Sequence, residues 1–450
     1  MNAPATTDTQ GELPLNARLF VWFRLFFNCR FYYPIFTILF LDLGLSIAEF
    51  ATLNVVWAIT IVLLEIPSGA LADRLGRRRL VVWAGWLMVA EMVVLCAMPV
   101  GNHTVVFWLF VVNRVLSGAA EAAASGADEA LTYDSLPEER RSSLWPRVMA
   151  RLSRAMALGF IVSSVSGAFL YDHEKVNALL VWTDLSPELP TSITMKIPLV
   201  LNFLTGVACL ITALRMREDE WKPESKGSFW ADTQDTLRQI AETGSWVWRT
   251  PAAFGLLLFG VLFDSIVRLF LTVSSNFYRL VGVAEAWYGV IGTLASLLAL
   301  ATAGLMERLS AKHGARTNFG WLAVVILVSL WFLANPSQGW LGVALAMPLM
   351  LAMRFLQFFL SHYLNAVVDS KRRATALSFR GLTMNLAYGG MTLLFGWQSR
   401  FFEKRLAVAE DDPRVFSAAL EWWPWWFAGS LVVGCAWYWI RFGRKAALDG

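Results

Sequence analysis

Five arginines (Arg24, Arg30, Arg114, Arg268, Arg354) and three acids at comparable depth (Glu91, Glu121, Asp264) sit inside long apolar runs of a 450-residue chain. Ionisable groups are expensive in hydrocarbon, and those that persist there face a protein interior or a wet cavity. The surplus of guanidinium over carboxylate favours a small anionic or zwitterionic ligand, because the planar fork of arginine suits carboxylate and phosphate. Arg30, Arg114, Arg268, Arg354 and Gln357 are the expected substrate contacts. Arg114, Glu121 and Asp128 recur every seven residues, which predicts one charged stripe along a helix. Arg354, Gln357, Ser361 and Asn365 follow at steps of three, four and four, with His362 at the edge of the row. Asp264 and Arg268, four apart, can meet across one turn. Glu121 and Asp264 are the expected proton carriers, since the proton affinity of a poorly solvated carboxyl group beside an arginine changes when a substrate arrives. A purely structural role fits the Asp264–Arg268 couple equally well, and fits Glu91 better.

The elements that must position these groups are apolar helices. The chain is 57% hydrophobic and only 16% charged, with 22 Trp, more apolar than a soluble core of this size requires. Runs of about 20 apolar residues suffice to cross a bilayer core of about 30 Å. Twelve crossings are expected, at 18–41, 47–68, 80–100, 105–130, 145–170, 196–214, 252–275, 286–306, 318–334, 340–366, 376–398 and 419–440. The fold class is therefore an all-α integral membrane protein. Its expected parts are a tail over 1–17, a six-helix bundle over 18–214, a linker over 215–250, a second six-helix bundle over 251–440 and a tail over 441–450. Phe229 to Trp248 is amphipathic enough for a helix lying on the membrane surface.

Lysine and arginine concentrate in the loops on the side that holds Arg77, which assigns that side, the linker and both termini to the cytoplasm. Trp22, Trp83, Trp108, Trp340 and Trp422 fall near helix ends and read as an interfacial belt. The net charge of +4 is spread over many loops, so nucleic-acid binding is not expected. Cys29, Cys96, Cys209 and Cys435 lie in apolar runs without metal-site or disulfide spacing and read as packing residues. No cofactor or metal is implied. The first 17 residues lack a signal-peptide pattern. No Walker loop, His/Cys metal cluster or Gly-x-Ser-x-Gly elbow is present, so an enzyme is not expected.

Between the second and third runs lies Gly69-Ala-Leu-Ala-Asp73-Arg74-Leu-Gly76-Arg77-Arg78-Arg79, a charged turn whose glycines, 69 and 76, are expected to let two helix ends approach. The pattern Gly-x-x-x-Asp-Arg-x-Gly-Arg-Arg resembles the loop 2–3 signature of the major facilitator superfamily of secondary transporters. A degraded copy, Gly304-Leu-Met-Glu307-Arg308 to Gly314-Ala-Arg316, follows the eighth run, and Tyr133-Asp134-Ser135 with Arg140-Arg141 is echoed by Val368-Asp369-Ser370 with Arg372-Arg373. The resemblance implies that runs 1, 4, 7 and 10 line a central cavity. It also implies a gating loop of Gly69, Asp73, Arg74, Gly76 and Arg77, with Asp73 engaging the start of run 11 near Thr375-Ala376 in the outward-open state. Asn113-Arg114-Val-Leu-Ser-Gly118-Ala-Ala is similar to the segment whose arginine serves proton coupling in drug–proton antiporters, but Leu158 to Gly167 lacks the Gly-Pro pair of that group. Ser125 to Leu136 is similar to a run in a bacterial subgroup, which implies a bacterial inner membrane.

The expected function is proton-coupled transport of a small anionic or zwitterionic solute by alternating access, in a monomer whose partners are the solute, protons and membrane lipid. Efflux of amphipathic drugs or lipids is the alternative within the same fold, and a non-transporting membrane sensor a remoter one. Uptake and efflux, and H⁺ and Na⁺ as driving ion, fit the pattern equally.

Overall fold

In the computed structural model, residues 13–99, 101–184, 188–218, 229–369, 372–409 and 412–443 are described, except for the side chains of Asp73, Arg373 and Ala374. Regular structure among them is helical throughout. The first half comprises α1 (Leu15–Asn28), α2 (Phe36–Asp42), α3 (Ile47–Leu75), α4 (Arg77–Cys96), α5 (His103–Ala124), α6 (Ala127–Asp134), α7 (Arg141–Tyr171), α8 (His173–Trp182), α9 (Thr191–Thr194) and α10 (Ile197–Arg215). After α11 (Phe229–Arg249) come α12 (Pro251–Leu280), α13 (Tyr288–Ala301), α14 (Ala303–Lys312), α15 (Ala315–Ala334), α16 (Gly339–Val367), α17 (Arg373–Leu406) and α18 (Pro413–Tyr438). Eight helical spans are long and apolar enough to cross a membrane, or nine if α13 and α14, bent by 43°, count as one.

Several expected runs are interrupted for local reasons. The run 18–41 breaks between α1 and α2, because Pro34 lacks an amide proton and disfavours helical backbone at the residue before it. The run 105–130 breaks at Ser125–Gly126, where Gly126 takes a left-handed φ of 75°. The run 286–306 is bent at Thr302 rather than straight. Conversely, the charged turn is mostly helix: α3 continues through Asp73 and Arg74 to Leu75, and only Gly76, at φ 95°, separates it from α4. That conformation strains any residue with a Cβ. Gly69 has open space around it, so close approach is not its role. The amphipathic helix expected over 229–248 is α11, whose buried Thr233, Ile240, Thr243 and Val247 share one face.

Among the described residues, the helix pairs that join the two halves include α2 with α12, α3 with α17, and α7 with α13. One hydrophobic core runs across both halves, from Tyr32, Phe40 and Phe50 to Phe270, Phe277 and Tyr288. Toward the end that holds α11 it gives way to two separate clusters. One is built from Phe20, Phe27, Met88, Leu131 and Cys209 of the first half, the other from Val247, Leu257, Leu364 and Ala376. The halves thus share apolar packing at the Asp42 end, whereas at the α11 end each packs its own cluster and α11 touches both α3 and α17.

Close contact depends on small residues. A Cβ on Gly289 of α13 would overlap the Ser164 carbonyl of α7. Backbone cannot yield as a side-chain tip can, so Gly289→Ala should destabilise the packed arrangement by about 1–3 kcal/mol. Gly292→Ala, whose Cβ meets only the Phe160 ring at 3.6 Å, should leave the thermal unfolding temperature unchanged. Equal melting of the two variants would contradict this packing.

Candidate functional site

The break after α1 creates the first part of the site. The freed Phe31 amide donates to Asn202 Oδ1 at 2.8 Å, so the unwound backbone is satisfied from α10. Arg30, 4% exposed, donates through Nε to the Phe27 carbonyl at 3.0 Å and pairs through Nη1 with Glu91 at 3.1 Å. Glu91 is fully buried and also accepts from the Tyr32 hydroxyl at 3.4 Å. Arg30 is therefore neutralised inside the first half rather than offered to a ligand as expected. Arg24 is likewise committed, with Nη2 2.8 Å from Asp128 Oδ1. Gly126 interrupts the helix that carries the expected stripe, and Asp128, at the start of α6, is buried and paired with Arg24 of α1.

Arg114 stands differently. It is 3% exposed, and its guanidinium is held by its neighbour Asn113 Oδ1 at 2.7 and 3.0 Å and lies 5.3 Å from the rings of Phe36 and Phe40. Cation–π contacts of this kind stabilise a desolvated cation without cancelling its charge. No ion pair to Arg114 forms among the described residues. Two turns on, Glu121 is exposed, and it is an electrostatic neighbour of Glu65 in α3, a half-exposed acid in the second apolar run.

In the second half the expected Asp264–Arg268 couple forms, Nη2 to Oδ2 at 2.8 Å. Arg268 also donates to Asn385 Oδ1 at 2.9 Å and lies 5.4 Å from the Tyr388 ring, both on α17. The Tyr388 hydroxyl is 2.9 Å from that of Thr272 and feels both Arg268 and Arg114 electrostatically. Arg268 thus lies against this tyrosine, and Arg114 of the other half acts on it from farther away. On α16, Arg354 and Gln357 are exposed, Ser361 and Asn365 are partly so, and neither Arg354 nor Gln357 has a side-chain hydrogen bond among the described residues. An arginine this far inside an apolar helix is tolerated facing water or a ligand, not lipid. Of the expected site residues, Glu121, Arg354 and Gln357 are exposed, Arg268 is partly exposed, Arg114 and Asp264 are buried, and Arg30 is tied to Glu91.

The sequence model of the Major Facilitator Superfamily matches residues 19–392. The chain belongs to this superfamily. The major facilitator fold is equally visible in solved structures. A bacterial homolog of the human lysosomal transporter Spinster, inward-facing and unoccupied, aligns at TM-score 0.68 and 15% identity, covering 96% of this chain and 98% of that one. The nucleoside transporter NupG aligns at TM-score 0.68 and 13% identity over 96% and 99%, and the POT family transporter PepTSo at 0.65 and 12% over 98% and 99%. No curated protein matches in sequence. The chain is accordingly a multi-pass membrane protein of a transporter family, not an enzyme.

The signature loop of this major facilitator is anchored by partners that spacing alone does not reveal. Arg77 pairs with Asp134 at the end of α6, and Arg74 Nε lies 3.1 Å from Asp232 of α11, tying the loop to that helix. The amides of Arg77 and Arg78 donate to the Glu218 carboxylate at 2.9 and 3.2 Å, an anion at the start of α4. The Asp73 side chain, expected to reach the start of α17, lies outside the described residues. In the degraded copy, Gly314 has φ −72° and needs no glycine, and Asn318 ties the α14 and α15 ends to Tyr363 instead.

At the opposite end, a cluster absent from the sequence-based expectation seals the halves. Arg279 of α12 makes a bidentate pair with Asp42 of α2, at 2.6 and 2.7 Å, and a further pair with Glu285. The Tyr171 hydroxyl donates to Asp42, and the Ala286 amide donates to Asp172 at 3.0 Å. Thr37 and Ser275 add a hydrogen bond of 3.1 Å between α2 and α12. Asp42, Arg279 and Glu285 lie at ends of apolar runs, where charge is ordinary; only the fold shows that they meet.

Proposed function

We propose that this major facilitator is a proton-coupled secondary transporter of a small anionic or zwitterionic solute. It crosses a bacterial inner membrane twelve times, in bundles 18–214 and 251–440 joined by a cytoplasmic linker over 215–250, with both termini cytoplasmic. It functions as a monomer by alternating access about a midplane site. With the α11 end cytoplasmic in this reading, the Asp42–Arg279 pair lies on the outward side and holds the halves together there. The observation that carries the reading is the electrostatic action of Arg114, which has no carboxylate partner among the described residues, and Arg268 on Tyr388 from opposite halves. An anionic group between them would supply what Arg114 lacks and would draw the halves together. Arg354 and Gln357 offer further polar contacts, and Glu121 and Asp264 carry the coupled proton.

The test is transport into vesicles reconstituted with the protein, under an imposed pH gradient, using labelled carboxylates, phosphate esters and amino acids. Loss of a charge-assisted contact costs about 1.5–3 kcal/mol, so Arg114→Ala should weaken substrate affinity roughly 10- to 150-fold. Glu121→Gln should abolish acceleration by the pH gradient and retain solute exchange. Transport confined to lipophilic cations, unaffected by Arg114→Ala, would replace this reading with drug or lipid efflux.

A further inference from the structure

Beyond the couple expected from the sequence, the Asp264 carboxylate has a second cation beside it. Arg380, on α17, is an electrostatic neighbour of Asp264. Its Nη1 is shielded from solvent and has no hydrogen-bond partner among the described residues. A guanidinium cannot shed its charge, and a buried charged donor without an acceptor carries a substantial desolvation penalty. Asp264 cannot serve both cations equally. It is held at 2.8 Å by Arg268, which Asn385 and the Tyr388 ring keep in place. One carboxylate shared by two guanidinium groups leaves one net positive charge on the α12–α17 seam, where Arg380 is only partly buried.

We propose that Arg380 is a substrate-anchoring residue, whose partly exposed side chain receives an oxyanion, carboxylate or phosphate, from the transported solute. The inference rests on the anionic-substrate reading above and adds a helix, α17, and a residue outside the expected site. Asp264 then has a defined role: its charge holds the seam together without ligand and competes with the solute for the two arginines. Removing that charge should strengthen anion binding, whereas removing Arg380 should weaken it.

The test uses the purified full-length protein, with sodium sulfate and sodium succinate as probes of the two oxyanion classes. Each is titrated at constant ionic strength against chloride, and ligand-induced thermal stabilisation is read. Asp264→Asn should lower the midpoint concentration about tenfold. Arg380→Gln should raise it about tenfold in the parent and cancel the gain in Asp264→Asn. Arg400→Gln, an exposed arginine farther along α17, should change neither. If Arg380→Gln does not fold, Arg380→Lys keeps the charge and loses the fork, and should raise the midpoint several-fold. Anion binding that depends on Arg114 and is untouched by both Arg380 variants would overturn the proposal and leave the anionic reading standing. Absence of saturable stabilisation by either anion, in the parent and in Asp264→Asn, would overturn both.

Discussion

Glu91→Ala should destabilise the protein by about 3–5 kcal/mol, because it strands the Arg30 charge in the interior of the first half. Arg30 is 4% exposed and Glu91 not at all, so water cannot replace the lost carboxylate. The Tyr32 hydroxyl, which donates to Glu91, loses its acceptor in the same step. Replacing both charges together, as Arg30→Met with Glu91→Leu, should recover most of the loss, since buried ion pairs contribute little net stability over well-packed apolar residues. Thermal unfolding of the parent, Arg30→Met, Glu91→Leu and the double variant in one detergent, arranged as a double-mutant cycle with Glu91→Ala measured beside it, tests this directly. A Glu91→Ala protein that melts with its parent would remove the case for a structural pair and return Arg30 to the substrate contacts. The same cycle separates folding from transport: in the double variant, stability should return, and solute affinity should stay near that of the parent if Arg30 is structural.

Arg279→Gln should shift the conformational balance about tenfold, equivalent to about 1.4 kcal/mol, toward the state open at the Asp42 end. The pair with Asp42 is bidentate and bridges α12 and α2, so it exists only while the halves meet there. Side chains of Arg279 and Asp42 are 35% and 27% exposed, so solvent screening keeps the expected effect well below that of a fully buried pair. A cysteine placed at Ser275, itself part of these contacts, in a background without the native cysteines that serves as the reference for every variant, would report the shift as faster labelling by a membrane-impermeant maleimide. Asp42→Asn should give a similar acceleration, and the double variant little more, because both remove one interaction. Labelling at the parental rate in all three would show that packing at Gly289 and along α2–α12, not the ion pair, holds this end closed. Substrate affinity measured from the opposite side should fall in the same variants if that side is served by the sealed state.

Residue chemistry and spacing carried the parts of this protein that depend on one helix at a time. Apolar runs and the Asp-Arg-x-Gly-Arg-Arg pattern were enough for an all-helical membrane protein of the superfamily, and a four-residue step was enough for Asp264–Arg268, because both partners ride one turn. The polar row on α16 follows from the same periodicity, and so does α11. Breaks within runs were harder to read. Pro34 signals the one after α1, but Gly126 sits in a stretch whose seven-residue repeat reads smoothly through it, and the pairing of Asp128 with Arg24 instead of a place in that stripe is visible only in the fold.

What the sequence alone determined was the class of the molecule, the approximate position of its helices, and which charges must be accounted for inside the membrane. Tertiary structure decided how those charges divide. Arg24 pairs with Asp128 across 104 residues, Arg30 with Glu91 across 61, and Arg279 with Asp42 across 237. Such separations leave no trace in helical periodicity, since the partners sit on different helices whose rotation and depth are set by packing. A count of arginines against acids therefore overstates the free positive charge at Arg30 and overlooks it at Arg380. Only the fold separates the guanidinium groups that stabilise it from those left without a carboxylate of their own.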